Sequence, residues 1–254
     1  MRTLYAVAVF ALWQYLGFAI AQVATVNPIG NGVVVNASIF YDDKYAAWHK
    51  EKKPDLDISE DLRNVVFLAQ EYFRNNSIMV NFSILTVENR SDYLVKLNNK
   101  SIDGKKTLQN MTTFALSRQA PNNSIYYHFS GYRIQTDLEA NISQSYGVSG
   151  IATNGTFCTQ PSAAILVYYP GSNNSRAFVN ITAITFGVTG GIHFTDTDKE
   201  TMNATFAKCA TSKKARRQES PKGKRKDKGT GKNTSKDKKK QTNQKRNQKT
   251  VRKN

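Results

Sequence analysis

Three histidines, His49, His128 and His193, are the side chains of this chain best suited to moving a proton or holding a metal near neutral pH. They lie in separate segments and lack the i, i+4 spacing that sets two imidazoles on one helix face, so they read as surface or partly buried polar groups. Carboxylates cluster at Asp42-Asp43, at Asp55, Asp57, Glu60 and Asp61, and at Asp196 and Asp198. None of these groups has the ligand ladder and glycine of a calcium loop, and helix caps and solvated turns account for them. Serine and threonine abound without a G-x-S-x-G elbow, which removes the support for a serine hydrolase. The groups present in quantity are cations, and their chemistry is attachment.

That charge is unevenly placed. The whole chain carries +17, of which residues 212–254 hold +16, while residues 22–211 are neutral. The basic residues of the tail include Lys213, Lys214, Arg216, Arg217, Lys222, Lys224, Arg225, Lys226, Lys228, Lys238, Lys239 and Lys240. With almost nothing apolar to bury beyond Ala215 and Val251, the tail is expected to be disordered and to bind polyanions without much selectivity. No aromatic residue is interleaved there, so stacking on nucleic-acid bases is not offered and no specific nucleic acid is expected.

The first residues, MRTLYAVAVFALWQYLGFAIAQ, place Arg2 ahead of an apolar run and a small-x-small site at Ala19 and Ala21. Residues 1–21 therefore read as a secretory signal peptide, with no later segment apolar enough to span a bilayer. Sequons follow at Asn36, Asn75, Asn81, Asn89, Asn99, Asn110, Asn122, Asn141, Asn154, Asn173, Asn180, Asn203 and Asn233. Their spread over the body predicts a glycoprotein whose sequon asparagines sit on loops, strand edges and outward helix faces. Cys158 and Cys209 are the two cysteines, and in an exported chain a disulfide between them is the expectation. The organisation expected is a leader over 1–21, one glycosylated domain over 22–211 and a polybasic tail over 212–254.

Within the body, periodicity alternates between strand and helix. VVVNASIFY (33–41) suits an early strand; Leu62, Val65, Val66, Ala69, Tyr72 and Phe73 make 59–74 an amphipathic helix capped near Asp57; IMVNFSILTV (78–87) suits a second strand. That β-α-β order predicts parallel strands joined by a right-handed crossover. Leu108, Met111, Phe114 and Ala115 predict a helix over 105–118, and 125–129 and 163–169 read as further strands. The fold class is α/β, a single domain with a mixed, mostly parallel sheet and flanking helices.

This order resembles the upper subdomain of a reprolysin (adamalysin-type) metzincin, and especially the metalloprotease-like secreted proteins of tick saliva. VVVNASIFYDDKY, the helix and IMVNFSILTV are similar to the start of that catalytic domain. GVSGIATNGTFC, ending at Cys158, is similar to the family's Gly-rich segment; AAILVYY follows as its edge strand, and Cys209 stands where a family cysteine follows the zinc helix. Size, sequons and basic end also resemble the metastriate-tick family of about 28 kDa. The zinc helix itself, H-E-x-x-H-x-x-G-x-x-H in the family, falls on TAITFGVTGGIHFTD (182–196). In that register Gly187 and Gly191 fall on glycines, Ile184 and Val188 on the first two ligands, Thr185 on the general base and Phe194 on the last ligand.

Catalytic zinc needs three nitrogen, oxygen or sulfur ligands, which Ile184, Val188 and Phe194 cannot supply, and Thr185 cannot act as a carboxylate base. His193 is one residue short of the ligand register, and no methionine turn follows. Local propensity pulls the other way, since Thr182, Ile184, Thr185, Val188 and Thr189 are β-branched and Gly190-Gly191 break helices, as in a strand or loop. The resemblance implies a metzincin-like pseudoenzyme without cofactor that acts by binding host factors at a wound. Its partners would be an unidentified host protein and polyanions such as heparan sulfate or acidic lipid surfaces. The competing expectation is an active zinc metalloendopeptidase with a rearranged site.

Overall fold

The computed structural model describes residues 27–136, 148–189 and 191–218, the last nine as backbone only. All belong to the first of two units, Met1–Glu219 and Ser220–Asn254. The expected leader, Asn141, Asn233 and the tail beyond residue 218 lie outside the described residues.

In chain order the strands are β1 (Val34–Tyr41), β2 (Asn81–Asn89), β3 (Ser101–Asp103), β4 (Ser124–Phe129), β5 (Arg133–Gln135), β6 (Gly150–Ala152) and β7 (Ser162–Leu166). The helices are α1 (Asp43–Lys52), α2 (Ile58–Asn75), α3 (Gly104–Ser117), α4 (Arg176–Thr185) and α5 (Asp196–Gln218). The main sheet runs β2-β1-β4-β7-β6, parallel except for β6, which pairs antiparallel with β7. β3 and β5 form a separate parallel pair. The 163–169 strand, expected at an edge, is therefore interior, because β6 covers its outer side with three residues too few to show periodicity.

Side-chain alternation explains the layering. Val35, Ala37, Ile39, Ile125, Tyr127, Phe129, Ala164 and Leu166 face one core with Phe73 of α2 and Phe178 of α4. Phe40, Tyr126, Ala163 and Ile165 face a second core with Ile102, Ile134 and Met111 and Ala115 of α3. A strand apolar on both faces must be covered on both, so the sheet is sandwiched between α2 and α4 on one side and α3 with β3 and β5 on the other. β2 is one edge and β6 the other, and exposed and half-buried residues alternate along β2 from Asn81 to Thr86.

Caps set the helix starts. Asp57 accepts the backbone N–H groups of Ser59 and Glu60 and starts α2 one residue before the expected boundary. Asp42 accepts the Tyr45 N–H and starts α1 directly after β1. α5 begins with Thr195 and Asp198 bonding reciprocally and runs to Gln218, so the expected boundary at 211/212 falls inside a helix. Residues 207–218 contain no glycine or proline and are rich in Ala, Lys and Arg, which favour helix and suit its C-terminal end.

Candidate functional site

The stretch 182–196 is part helix and part turn. α4 buries Phe178, Val179, Ile181, Thr182, Ala183 and Thr185. It stops in a Schellman turn: the Gly187 N–H donates to the Ile184 carbonyl at 2.9 Å and the Val188 N–H to the Ala183 carbonyl at 3.0 Å. Gly187 has φ +101°, a conformation that a side chain disfavours. Val188 therefore lies beyond the helix, and Ile184 and Val188 do not stack one turn apart as the 182–196 register requires. The helix-ending glycine is Gly187 rather than Gly191.

The four degenerate positions do not form one site. Thr185 is fully buried and its hydroxyl donates to the Thr182 carbonyl at 2.7 Å. Val188 is buried in the α2–α4 core, and Ile184 is half-buried with its carbonyl accepting the Gly155 N–H. Phe194 stacks on Phe73, ring centres 5.6 Å apart and planes 6° from parallel. These side chains pack or bond to backbone, and none offers a lone pair toward a shared point, so they do not fit zinc. His193 is exposed.

The buried polar chemistry sits elsewhere, at the C-terminal ends of β1 and β4. Asp42 Oδ2 accepts the Ser130 hydroxyl at 2.8 Å and lies 3.2 Å from His128 Nε2, and the Gly131 N–H donates to the same carboxylate at 3.2 Å. His128 Nδ1 is 2.9 Å from the Tyr93 hydroxyl. Burial works to raise the Asp42 pKa, but the bond and charge of His128, with the Tyr45 N–H and Ser130, outweigh it and hold the carboxyl below its ordinary value. Burial pushes the Tyr93 hydroxyl above its ordinary value, so it keeps its proton beside the imidazole.

Ser, His and Asp meet here, but not as a nucleophile relay. Ser130 donates to the carboxylate instead of the imidazole, and Asp42, His128 and Ser130 are at most 1% exposed. A second buried pair lies beside it: His49 Nε2 is 3.2 Å from Asp61 Oδ2, not aligned for a hydrogen bond, and Asp61 accepts the Gly171 N–H at 2.8 Å. His49 and His128, expected at or near the surface, are thus core residues each matched to an aspartate. Asp42, expected as a helix cap or in a solvated turn, does cap α1, but it is buried rather than solvated and its partners lie up to 89 residues away in sequence. Among the described residues no three His, Cys, Asp or Glu side chains gather as a metal would need.

Cys158 and Cys209 are bonded, Cα atoms 4.9 Å apart, and tie the segment before β7 to α5. Sequon residues Asn75, Asn81, Asn89, Asn99, Asn110, Asn122, Asn154, Asn173 and Asn203 are exposed. Asn36 and Asn180 are not: Asn36 lies half-buried on interior β1 with its amide toward Asn123, and Asn180 accepts the Gly191 N–H. Those two depart from the expected outward placement because strand pairing and the turn after α4 engage them. Asn122 and Asn203 line a cavity of about 670 Å³ with Gly30, Phe206 and Cys209. Lys213, Lys214, Arg216 and Arg217 lie on the α5 backbone; the remaining tail cations lie outside the described residues.

No family model and no curated protein matches the chain. Among solved structures, it is similar to metalloproteinase-II from Bacteroides fragilis, with a TM-score of 0.42 and 10% identity over 72% of this chain and 55% of that one. It is also similar to a chain from a chaperone–substrate complex, with a TM-score of 0.38 and 10% identity over 65% of this chain and 24% of that one. The architecture is mixed α/β, and such distant likenesses carry no residue role across.

Proposed function

We propose that this chain is an exported, non-catalytic glycoprotein on a metzincin-like scaffold that acts by binding, held on sulfated glycosaminoglycans or acidic lipid surfaces by its basic C-terminal segment. The observation that carries the reading is the packing of Thr185, Val188 and Phe194 into the core beside a helix end, where a protease would present ligands and a base to solvent. The buried His128–Asp42 and His49–Asp61 pairs support it, since each imidazole is matched to a carboxylate away from solvent. The concentration of +16 in residues 212–254 supports attachment to polyanions, and the tick-saliva resemblance suggests a host wound as the setting.

Metal analysis of purified protein tests the first half: one tightly held zinc with chelator-sensitive peptidase activity would overturn it. Heparin chromatography tests the second. The full chain should elute at clearly higher salt than a chain stopping after Gln218, which keeps α5; equal elution would remove the tail from the reading.

A further inference from the structure

The neutral body is not neutral throughout. Residues 90–136 hold seven Lys and Arg against two aspartates, and with Asp137 and Glu139, which follow directly in the sequence, residues 90–140 carry +3, which the remainder of residues 22–211 balances. Of the first two aspartates, Asp103 is buried and caps α3 while pairing with Lys106, and Asp92 pairs with Arg90. Lys96, Lys100 and Arg133, all exposed, together with half-buried Lys44, have no carboxylate partner among the described residues.

These four side chains are brought together by the small second sheet. Lys96 bridges Ile102 of β3, Ile102 pairs with Ile134 of β5, and the Arg133 N–H donates to the Lys100 carbonyl at 2.9 Å. Tyr132 lies directly before β5, and two ammonium groups from different segments approach its ring: Lys44 Nζ at 4.7 Å and Lys96 Nζ at 5.3 Å from the centroid. The two ammoniums are therefore no more than about 10 Å apart and repel each other. The ring's electron-rich face offsets part of that repulsion, and the Asn99 carbonyl accepts from Lys44 at 3.2 Å.

We infer that Lys44, Lys96, Lys100 and Arg133 around Tyr132 form a recognition surface for a sulfated polysaccharide on the folded body, separate from the tail. Exposed point charges spread along an edge suit a polymer with repeated anions better than one enclosed ion. Tyr132 is half-buried and engaged by ammoniums, so it offers no stacking platform for bases, which disfavours a nucleic acid. The ligand class rests on the extracellular reading above; the patch does not rest on the tail.

The experiment is lysine acetylation of the full-length glycosylated protein, read residue by residue by mass spectrometry, with and without a heparin-derived decasaccharide. At about ten times Kd, Lys44, Lys96 and Lys100 should be modified about tenfold more slowly. Tyr132→Leu should abolish the protection of Lys44 and Lys96 and leave that of the tail lysines. Protection of tail lysines alone would overturn the patch while sparing the tail; protection of the body lysines alone would support the patch and remove the tail. Equal protection by a non-sulfated oligosaccharide, or stronger protection by single-stranded DNA of the same charge, would overturn the sulfate assignment. Because Asn99 is a sequon at the rim, Asn99→Gln is run in parallel, and protection confined to that variant would overturn the proposal by showing the chain's own glycan capping the patch.

Discussion

The Asp42 carboxylate and the His128 ring lie 3.2 Å apart with exposures of 1% and 0%, at the point where β1 hands the chain to α1 and β4 ends. One carboxylate there joins three segments: it caps α1 through Tyr45, holds the turn after β4 through Ser130 and Gly131, and anchors the histidine on which Tyr93 rests. Removing one member of such a buried pair strands the other. Asp42→Ala should therefore lower unfolding free energy by about 3–5 kcal/mol in urea titration. Because the folded carboxyl is held below its ordinary pKa, its contribution is present above about pH 4 and disappears as pH falls further. Stability curves of parent and Asp42→Ala should converge on acidification; a constant gap down to pH 2 would show that the carboxylate's charge is not what matters.

At the alkaline end the groups that matter are tyrosines. Burial pushes the hydroxyls of Tyr45, Tyr93, Tyr127 and Tyr168 well above their ordinary value. A group whose folded pKa is raised stabilises the fold fully below its unfolded pKa and loses that contribution progressively as pH rises from there to its folded pKa, so stability should fall from about pH 10 upward. Four such protons give a slope near 5 kcal/mol per pH unit once all titrate in the unfolded state. Absorbance at 295 nm should show these tyrosines ionising together with the loss of far-ultraviolet dichroism. Ionisation of all the tyrosines while the fold persists would contradict their burial.

Much of this frame is legible in the residues themselves. β1, α2, β2, α3 and β4 stand within a few residues of where apolar alternation or helical spacing puts them. α1 escapes because its buried positions, Tyr45 and His49, belong to no apolar stripe. β3, β5 and β6 have three residues each, too few for a period to register. The aspartate–histidine pairs escape for another reason: Asp42 and His128 are 86 residues apart, and only strand order makes them neighbours. The end of α4 was ambiguous because β-branched residues and glycines leave strand, loop and helix all open; burial of Thr182 and Thr185 decides it, their hydroxyls satisfied by carbonyls of the preceding turn.

The Cys158–Cys209 bond spans 51 residues and ties Cys158, whose N–H donates to the Asn122 carbonyl, to α5. Removing it with Cys158→Ser and Cys209→Ser should cost about 4 kcal/mol by the chain-entropy account. Differential scanning calorimetry of the double variant checks this, and reduction of the parent should reproduce its transition. A shift of a degree or less would mean that the cross-link does not constrain the unfolded chain.

Gly187 gives a more local test of how α4 ends. Its φ of +101° and the Thr201 methyl 3.2 Å from where a Cβ would sit make Gly187→Ala unfavourable by roughly 1–2 kcal/mol. Gly191→Ala is the informative companion: φ is +96° but nothing lies within 4 Å, so only the backbone penalty applies. Urea midpoints should rank parent above Gly191→Ala above Gly187→Ala.

The sharpest test of the pseudoenzyme reading is to put the missing ligands back. A chain carrying Ile184→His, Thr185→Glu, Val188→His and Phe194→His has the full family motif in the 182–196 register. Because the helix stops at Thr185 and Val188 follows the Schellman turn, the first two imidazoles would not stack on one face. The new groups would enter space now filled by buried Thr185 and Val188 and by the Phe73–Phe194 stack, at a cost of at least about 3 kcal/mol. The expected result is a destabilised protein that takes up no stoichiometric zinc, with Ile184→His alone, at a half-buried site, folding and binding none. One zinc per chain in the fourfold variant would show that these positions do converge, and the helix end as placed here would be wrong.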